Sequence, residues 1–214
     1  YDYETLFAAG LQARIDTIEA KLKELDENIG EMPPAEYLEK KHQWQAMLMT
    51  GKAIIRYARR HAELARQQAE KETDRVRKKE LEELADILEW VPANPPRTFH
   101  ETLQFMWIIE VVGHYLAMCG NGSGVRIDQV WWPFYEADMK AGRITREDAL
   151  ELVECLFLKA QEVGSPLEWP AIFSATAGFD VGWAPNICGA DENGKDVSND
   201  LSCMAMEALA NLHV

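Results

Sequence analysis

The 214-residue sequence lacks three things: an excess of basic charge, a long uninterrupted apolar run, and clustered cysteines or histidines. Each absence removes a class of function. Lys and Arg number 22 against 36 Asp and Glu, a net charge of −14. A chain that grips a phosphate backbone carries the opposite field, which argues against nucleic acid and anionic membrane surfaces as partners. The longest apolar stretch, Phe105 to Met118, carries Glu110 and His114 and is too short and polar to span a bilayer. Cys119, Cys155, Cys188 and Cys203 stand 36, 33 and 15 residues apart, with no Cys-x-x-Cys pair. That spacing speaks against a zinc site or a disulfide framework, and for a reducing cytoplasm. The apolar neighbours of Cys155, Cys188 and Cys203 predict buried structural thiols. Tyr1-Asp2-Tyr3 does not open a signal peptide, and the chain stops at Leu212-His213-Val214 directly after a helical pattern. The expectation is a segment of something longer.

What is present divides in two. Residues 1–90 hold 15 basic and 19 acidic side chains, a net of −4; residues 91–214 hold 7 and 17, a net of −10, with Trp107, Trp131, Trp132, Trp169 and Trp183. The first part reads as long solvated helices and the second as a packed body. Leu6, Ala9, Ala13, Ile15, Ile18, Leu22 and Leu25 recur at helical spacing until Gly30 and Pro33-Pro34 break the pattern. A second helix is predicted from about Ala35 to Thr73, burying Trp44, Met47, Leu48, Ile54, Ile55, Tyr57 and Leu64. A third runs through Leu81, Leu84, Ile87, Leu88 and Trp90. Val91-Pro92-Ala93-Asn94-Pro95-Pro96 is the best boundary, so 1–96 is a long-helix region and 97–214 a second domain. Thr98 with Glu101 and Thr145 with Asp148 are capping-box patterns. They open helices from Phe99 to about Met118 and over Ala149–Val163. Pro185-Asn186-Ile187-Cys188-Gly189 reads as a short buried strand, Asp191-Glu192-Asn193-Gly194 as a turn, and Ser198 as the cap of a last helix.

Several features invite chemistry. Gly120-Asn-Gly-Ser-Gly124 lacks the Gly-Lys-Ser/Thr ending of a phosphate loop and reads as a helix-terminating turn. His100 and His114 have no second ligand at i+4. Arg56, Arg59, Arg60 and Arg66 form either a basic patch or a solvated helix face balanced by nearby Glu. Ser123-Gly-Val-Arg126-Ile-Asp128-Gln129 is richer, setting four polar types beside the block Trp131-Trp-Pro-Phe-Tyr135. An Arg126–Asp128 pair either pins this loop or lines a pocket with apolar walls.

His100-Glu-Thr-Leu-Gln104-Phe-Met-Trp, then Arg126-Ile-Asp-Gln129 with Pro133-Phe-Tyr and Asp138, resembles the glycyl radical enzyme family, whose type member is pyruvate formate-lyase. Ala141-Gly-Arg-Ile-Thr-Arg-Glu-Asp-Ala-Leu-Glu-Leu-Val-Glu-Cys-Leu156 is similar to it as well. So is Asn186-Ile-Cys-Gly-Ala-Asp191-Glu-Asn-Gly194-Lys-Asp196-Val-Ser-Asn199-Asp-Leu-Ser202. The five blocks follow the family's order over about residues 97–213, whereas residues 1–90 resemble it only loosely. The resemblance implies a mainly α segment with short strands, part of an α/β ten-stranded barrel, with 97–214 as a half-barrel segment.

It further implies a parent that cleaves a C–C, C–N, C–O or C–S bond of a small organic substrate through a thiyl radical. The radical starts on a backbone glycine, installed by an activating enzyme with S-adenosylmethionine and an iron–sulfur cluster. The sequence shows neither the family's cysteine loop nor its Arg-Val-x-Gly-Tyr stretch, so no catalytic residue and no bound cofactor or metal are expected here. Ser123, Arg126, Asp128, Gln129 and Asn186 carry over as substrate-pocket residues, with Val125 standing where the family has Gly. Asn186 either faces the cavity or bonds neighbouring backbone. Trp131, Trp132, Phe173, Phe179 and Trp183 suggest an aromatic substrate or ordinary packing; the lean is to a small organic acid. The implied partners are that substrate, the activating enzyme and, for the parent, further copies of itself. The alternative is a non-catalytic helical subunit, or a docking or scaffold protein, derived from the family.

Overall fold

The computed structural model describes residues 2–30, 32–116, 124–162 and 185–213, with backbone alone at 114–116 and 161–162. These residues group into two compact units, Thr5–Pro96 and Tyr1–Glu4 together with Arg97–Val214.

Thr5–Pro96 is built from helices α1 (Tyr3–Glu27, whose first residues belong to the other unit), α2 (Pro34–Lys71) and α3 (Arg75–Trp90). Asp74 accepts bonds from the Val76 and Arg77 N–H groups at 2.7 and 3.1 Å, capping α3 three residues after α2 ends. So short a link folds α3 back along α2. Of the large side chains expected to form the buried stripe of α2, Ile55 is buried, but small residues make most of the stripe. Tyr37, Ile55, Ala58, Ala62, Ala65 and Ala69 are buried, whereas Met47 and Leu64 are about half exposed, at 49% and 48%. Alanines at i, i+4, i+7 and i+11 leave no bulk between the backbones, and α3 closes over them with Leu81, Ala85, Ile87 and Leu88.

Within α1, Gly10 is not helical (φ 74°, ψ 169°). After this break the Leu11 and Gln12 N–H groups donate to the Pro92 and Ala93 carbonyls, both at 2.9 Å. A helix start leaves such donors free, and the chain beyond α3 satisfies them. A Cβ on residue 10 would lie 2.4 Å from the Ala93 carbonyl oxygen, so glycine is required there for space as well as for its positive φ.

The other unit holds α4 (Phe99–Glu110), a π-helical turn (Val111–Leu116), α5 (Ile127–Val130), α6 (Trp132–Lys140), α7 (Arg146–Glu162) and α8 (Asp200–Leu212). The long helix expected to about Met118 therefore changes winding at Val111, and residues 117–123 lie outside the description. Phe99, Leu103, Phe105, Met106, Ile108 and Ile109 form a buried face of α4. Asp138 of α6 accepts the Phe99 N–H at 2.7 Å, and the Thr98 hydroxyl accepts the Glu101 N–H at 3.2 Å, so both cap the start of α4. The Thr145–Asp148 box is formed: the Thr145 hydroxyl and N–H reach the Asp148 carboxylate, and the Asp148 N–H returns to the hydroxyl. The cap of α8 falls one residue later than expected. Asn199, not Ser198, accepts the Leu201 and Ser202 N–H groups, because the Ser198 hydroxyl is committed to Asp196.

Among the described residues there is no strand and no barrel. Arg126 and Asn186 form one parallel bridge, and Ala190 and Asp196 one antiparallel bridge. The strand expected at 185–189 cannot extend. Pro185 offers no N–H, and Cys188 and Gly189 turn to φ 62° and 103° directly after Ile187. Trp131, expected near a pocket, is a core residue, 1% exposed and edge-on to Phe99 at 6.3 Å. Trp132 tilts against Tyr135 at 5.8 Å, while Phe173, Phe179 and Trp183 lie outside the described residues. Cys155 and Cys203 are exposed and Cys188 half-buried, against the expectation of buried thiols. The apolar sequence neighbours of the two exposed cysteines face the other side of their helices, as the buried Val153 and Leu156 beside Cys155 and Met204 beside Cys203 show. Among the described residues no helix is long and apolar enough to cross a membrane.

Candidate functional site

Four of the five residues singled out from the sequence converge; Ser123 lies outside the described residues. The loop Gly124–Gln129 is held by backbone first. The Asn186 N–H donates to the Val125 carbonyl at 2.8 Å, and the Ile127 N–H donates to the Asn186 carbonyl at 3.1 Å. The Asn186 side-chain amide donates to the Gly124 carbonyl at 2.6 Å, so it bonds neighbouring backbone.

Asp128 is fully buried, yet the expected pair with Arg126 does not form. Its Oδ2 instead accepts the Cys188 N–H at 2.7 Å and the Ser202 hydroxyl at 2.6 Å. Its main-chain carbonyl accepts the Asn199 side-chain amide at 2.9 Å. Asp128 points into the unit because the start of α8 offers donors there: Asn199 and Ser202 complete a capping box with each other and spare an N–H and an O–H for Asp128. The left-handed backbone at Cys188 is uncommon for a residue with a Cβ. The Asp128 bond to its N–H holds it.

Gln129 donates from Nε2 to the Val197 carbonyl at 2.9 Å. Arg126 donates from Nη1 to the Ala190 carbonyl at 3.4 Å, a long bond. Its Nε and Nη2 are buried and have no partner among the described residues. Turn Asp191–Gly194 closes the far end, with the Asp191 carboxylate accepting the Asn193 and Lys195 N–H groups at 2.8 and 2.9 Å. Val125, Arg126, Gln129, Asp191 and Val197 line a cleft of about 500 Å³ together with Asp2, Tyr3 and Glu4.

Sequence reasoning missed this last contribution. Tyr3 is buried and its hydroxyl donates to Glu110 Oε1 at 2.5 Å, across 107 positions; no local pattern signals that pair. Glu110 Oε2 is buried without a partner among the described residues. Below the loop, the Tyr135 phenol donates to Asp200 at 2.6 Å, and burial, then the Asp200 carboxylate, push its pKa well above the ordinary phenol range. Among the described residues no group of three or more His, Cys, Asp or Glu could hold a metal ion. The arrangement is a rigid polar wall: acids and amides fix the backbone, and one guanidinium retains unused donors beside a cleft.

A helical frame carrying a buried-acid loop of this kind matches one family over its whole length. The pyruvate formate lyase-like family model covers residues 1–214, and the chain belongs to that family. The match reaches beyond the five motif blocks into the N-terminal helices. The isethionate sulfite-lyase of Nitratidesulfovibrio vulgaris is 38% identical over 97% of this chain and 25% of its own length. A glycyl radical enzyme from Archaeoglobus fulgidus superposes with a TM-score of 0.85 at 29% identity, over 100% of this chain and 27% of that one. Hydroxyproline dehydratase from Clostridioides difficile, solved with trans-4-hydroxy-L-proline bound, gives 0.87 at 29% identity, over 99% and 26%. The chain thus spans about a quarter of the length of these relatives, which are glycyl radical enzymes with lyase and dehydratase activities among them.

Proposed function

We propose that these residues form part of the substrate-pocket wall of a glycyl radical enzyme that breaks a C–C, C–N, C–O or C–S bond of a small hydroxylated organic acid. The observation that carries this reading is the Arg126 guanidinium, with two buried nitrogens unmatched among the described residues beside an open cleft. A carboxylate or sulfonate is the group such a fork accepts. The names of two relatives, an isethionate lyase and a hydroxyproline dehydratase, point to the same substrate class. In this reading Arg126, Ser123 and Gln129 face substrate, while Asp128 and Asn186 position the loop. The chain's share of the chemistry is binding and orientation. The radical residues lie in parts of the parent beyond these 214 residues, and a separate activating enzyme with S-adenosylmethionine and an iron–sulfur cluster generates the radical. The parent is read as a cytoplasmic homo-oligomer.

The test uses the whole protein encoded by the gene, activated anaerobically and offered isethionate and trans-4-hydroxy-L-proline. Turnover of either, with an organic radical signal in electron paramagnetic resonance, supports the reading. Arg126→Lys is expected to raise KM about tenfold by losing the fork. A gene that stops at Val214, or an activated protein that shows no radical, defeats it in favour of the non-catalytic subunit.

A further inference from the structure

Some cations on the helices of Thr5–Pro96 have acidic partners: Lys41 meets Asp26 at 2.8 Å, Lys52 meets Glu19 at 2.6 Å, and Arg66 meets Glu89 at 2.8 Å. Arg56, Arg59 and Arg60 do not, for none of the three pairs with a carboxylate among the described residues. They stand at i, i+3 and i+4 on α2, where side chains start about 5–6 Å apart and like charges repel. With Lys52 they make a one-sided stripe roughly 12 Å long at the helical rise per residue. The stripe edges a cleft of about 400 Å³ between α1 and α2, backed by the buried Ile15 and Ile55 and carrying Gln12 on the α1 side. Glu63 lines one end, and Glu19 holds Lys52 at the other. In a chain of net charge −14, three unmatched arginines around one concavity form a local field of the opposite sign.

We propose that this cleft binds a small anion with two phosphoryl groups, pyrophosphate or a diphosphate ester, through Arg56, Arg59 and Arg60. A carboxylate neutralises one guanidinium only. The terminal phosphoryl group of a diphosphate ester holds about −1.5 to −2 charge near neutral pH with three acceptor oxygens, as a phosphate monoester does, and so matches the Arg56–Arg60 pair. A second phosphoryl group along the stripe meets Arg59. Guanidinium forks take phosphate oxygens two at a time, and the volume is that of a small-molecule cleft. The Arg methylenes beside Ile15 and Ile55 suit the ester's apolar body. Glu63 repels anions at its end and confines them to the arginines.

Pyrophosphate titrated calorimetrically into the whole protein tests this. Saturable one-to-one binding is expected, weakened about tenfold or more by each of Arg56→Gln, Arg59→Gln and Arg60→Gln. Arg56→Lys is expected to fall between wild type and Arg56→Gln. Arg66→Gln, which removes the same charge from an already paired position, is expected to bind like wild type; circular dichroism identifies variants whose α2 has lost helicity. The proposal is overturned by absent saturable binding, by equal losses in Arg66→Gln, or by sulfate binding as tightly as pyrophosphate. A glutamate-rich peptide that displaces pyrophosphate and binds more tightly also overturns it, assigning the cleft to an acidic protein segment.

Discussion

The two units solve the same problem, bringing helices together, with opposite materials. In Thr5–Pro96 the buried residues of α2 are mostly alanines, and charged side chains stay at the surface. In the unit built on Arg97–Val214, four acids among the described residues go inside: Glu101, Glu110, Asp128 and Asp138 are each no more than 3% exposed. Small-residue packing fixes how closely helices approach but directs no particular loop. A buried carboxylate must find donors, so it fixes the atoms that supply them. The first unit is therefore a frame set by shape. The second is specified bond by bond, and the loop Gly124–Gln129 sits where those bonds concentrate.

Removing one buried acid tests the second solution, with the largest effect expected. Asp128→Ala strands the Cys188 N–H and the Ser202 hydroxyl, and is expected to cost about 3 kcal/mol. Amide exchange at Cys188 and Leu201 should accelerate while α2 and α3 stay protected; uniform acceleration in both units would erase the contrast. The converse challenge is Ala62→Leu, which forces bulk into the α2–α3 contact at a cost of about 2 kcal/mol. It should loosen α3 and leave exchange at Cys188 unchanged, and a harmless Ala62→Leu would show that this packing is not close.

A smaller change of opposite sign should come from Cys188→Gly, which relieves the left-handed backbone and stabilises the loop by about 1 kcal/mol. A stability loss on urea titration would mean that the thiol makes contacts outweighing the strain. The smallest expected effect is a pH dependence at α7. Hydrogen bonds from the Thr145 hydroxyl and then its N–H hold the Asp148 carboxyl below the ordinary carboxylate range. A lowered folded pKa means the stabilisation is fully present above the unfolded value and is lost as pH falls through the folded one. Thr145→Val removes the hydroxyl but keeps the N–H, and should shrink that acid-side loss in exchange at the first turn of α7, with neutral pH behaviour of the rest unchanged.

Much of this was legible in the sequence because it is local. Breaks at Gly30 and Val91–Pro96, the Thr145–Asp148 box and the Asp191–Gly194 turn each depend on a few adjacent residues, and each is found. The ordered motif blocks carried the family, which no single helix pattern does. The buried face of α2 was misread because alanine is a weak apolar signal until the partner helix is known. The partner of Asp128 was misread because Arg126 is near in sequence, whereas Cys188 and Ser202 are 60 and 74 positions away. Asn199 displaced Ser198 as a cap since Asp196 claims the serine hydroxyl, and Tyr3 with Glu110 had no local trace at all.

The glycine break in α1 also has a consequence in time. The carbonyls that cap the restarted helix at Leu11 and Gln12 belong to Pro92 and Ala93. During synthesis those carbonyls do not exist until some eighty further residues have been joined, a delay on the order of ten seconds at ribosomal speeds. Through that interval the helix after Gly10 starts with its first donors open to water. The N-terminal helix is thus completed by the last stretch of its own unit to be made, and a nascent chain halted before Ala93 should show a frayed α1.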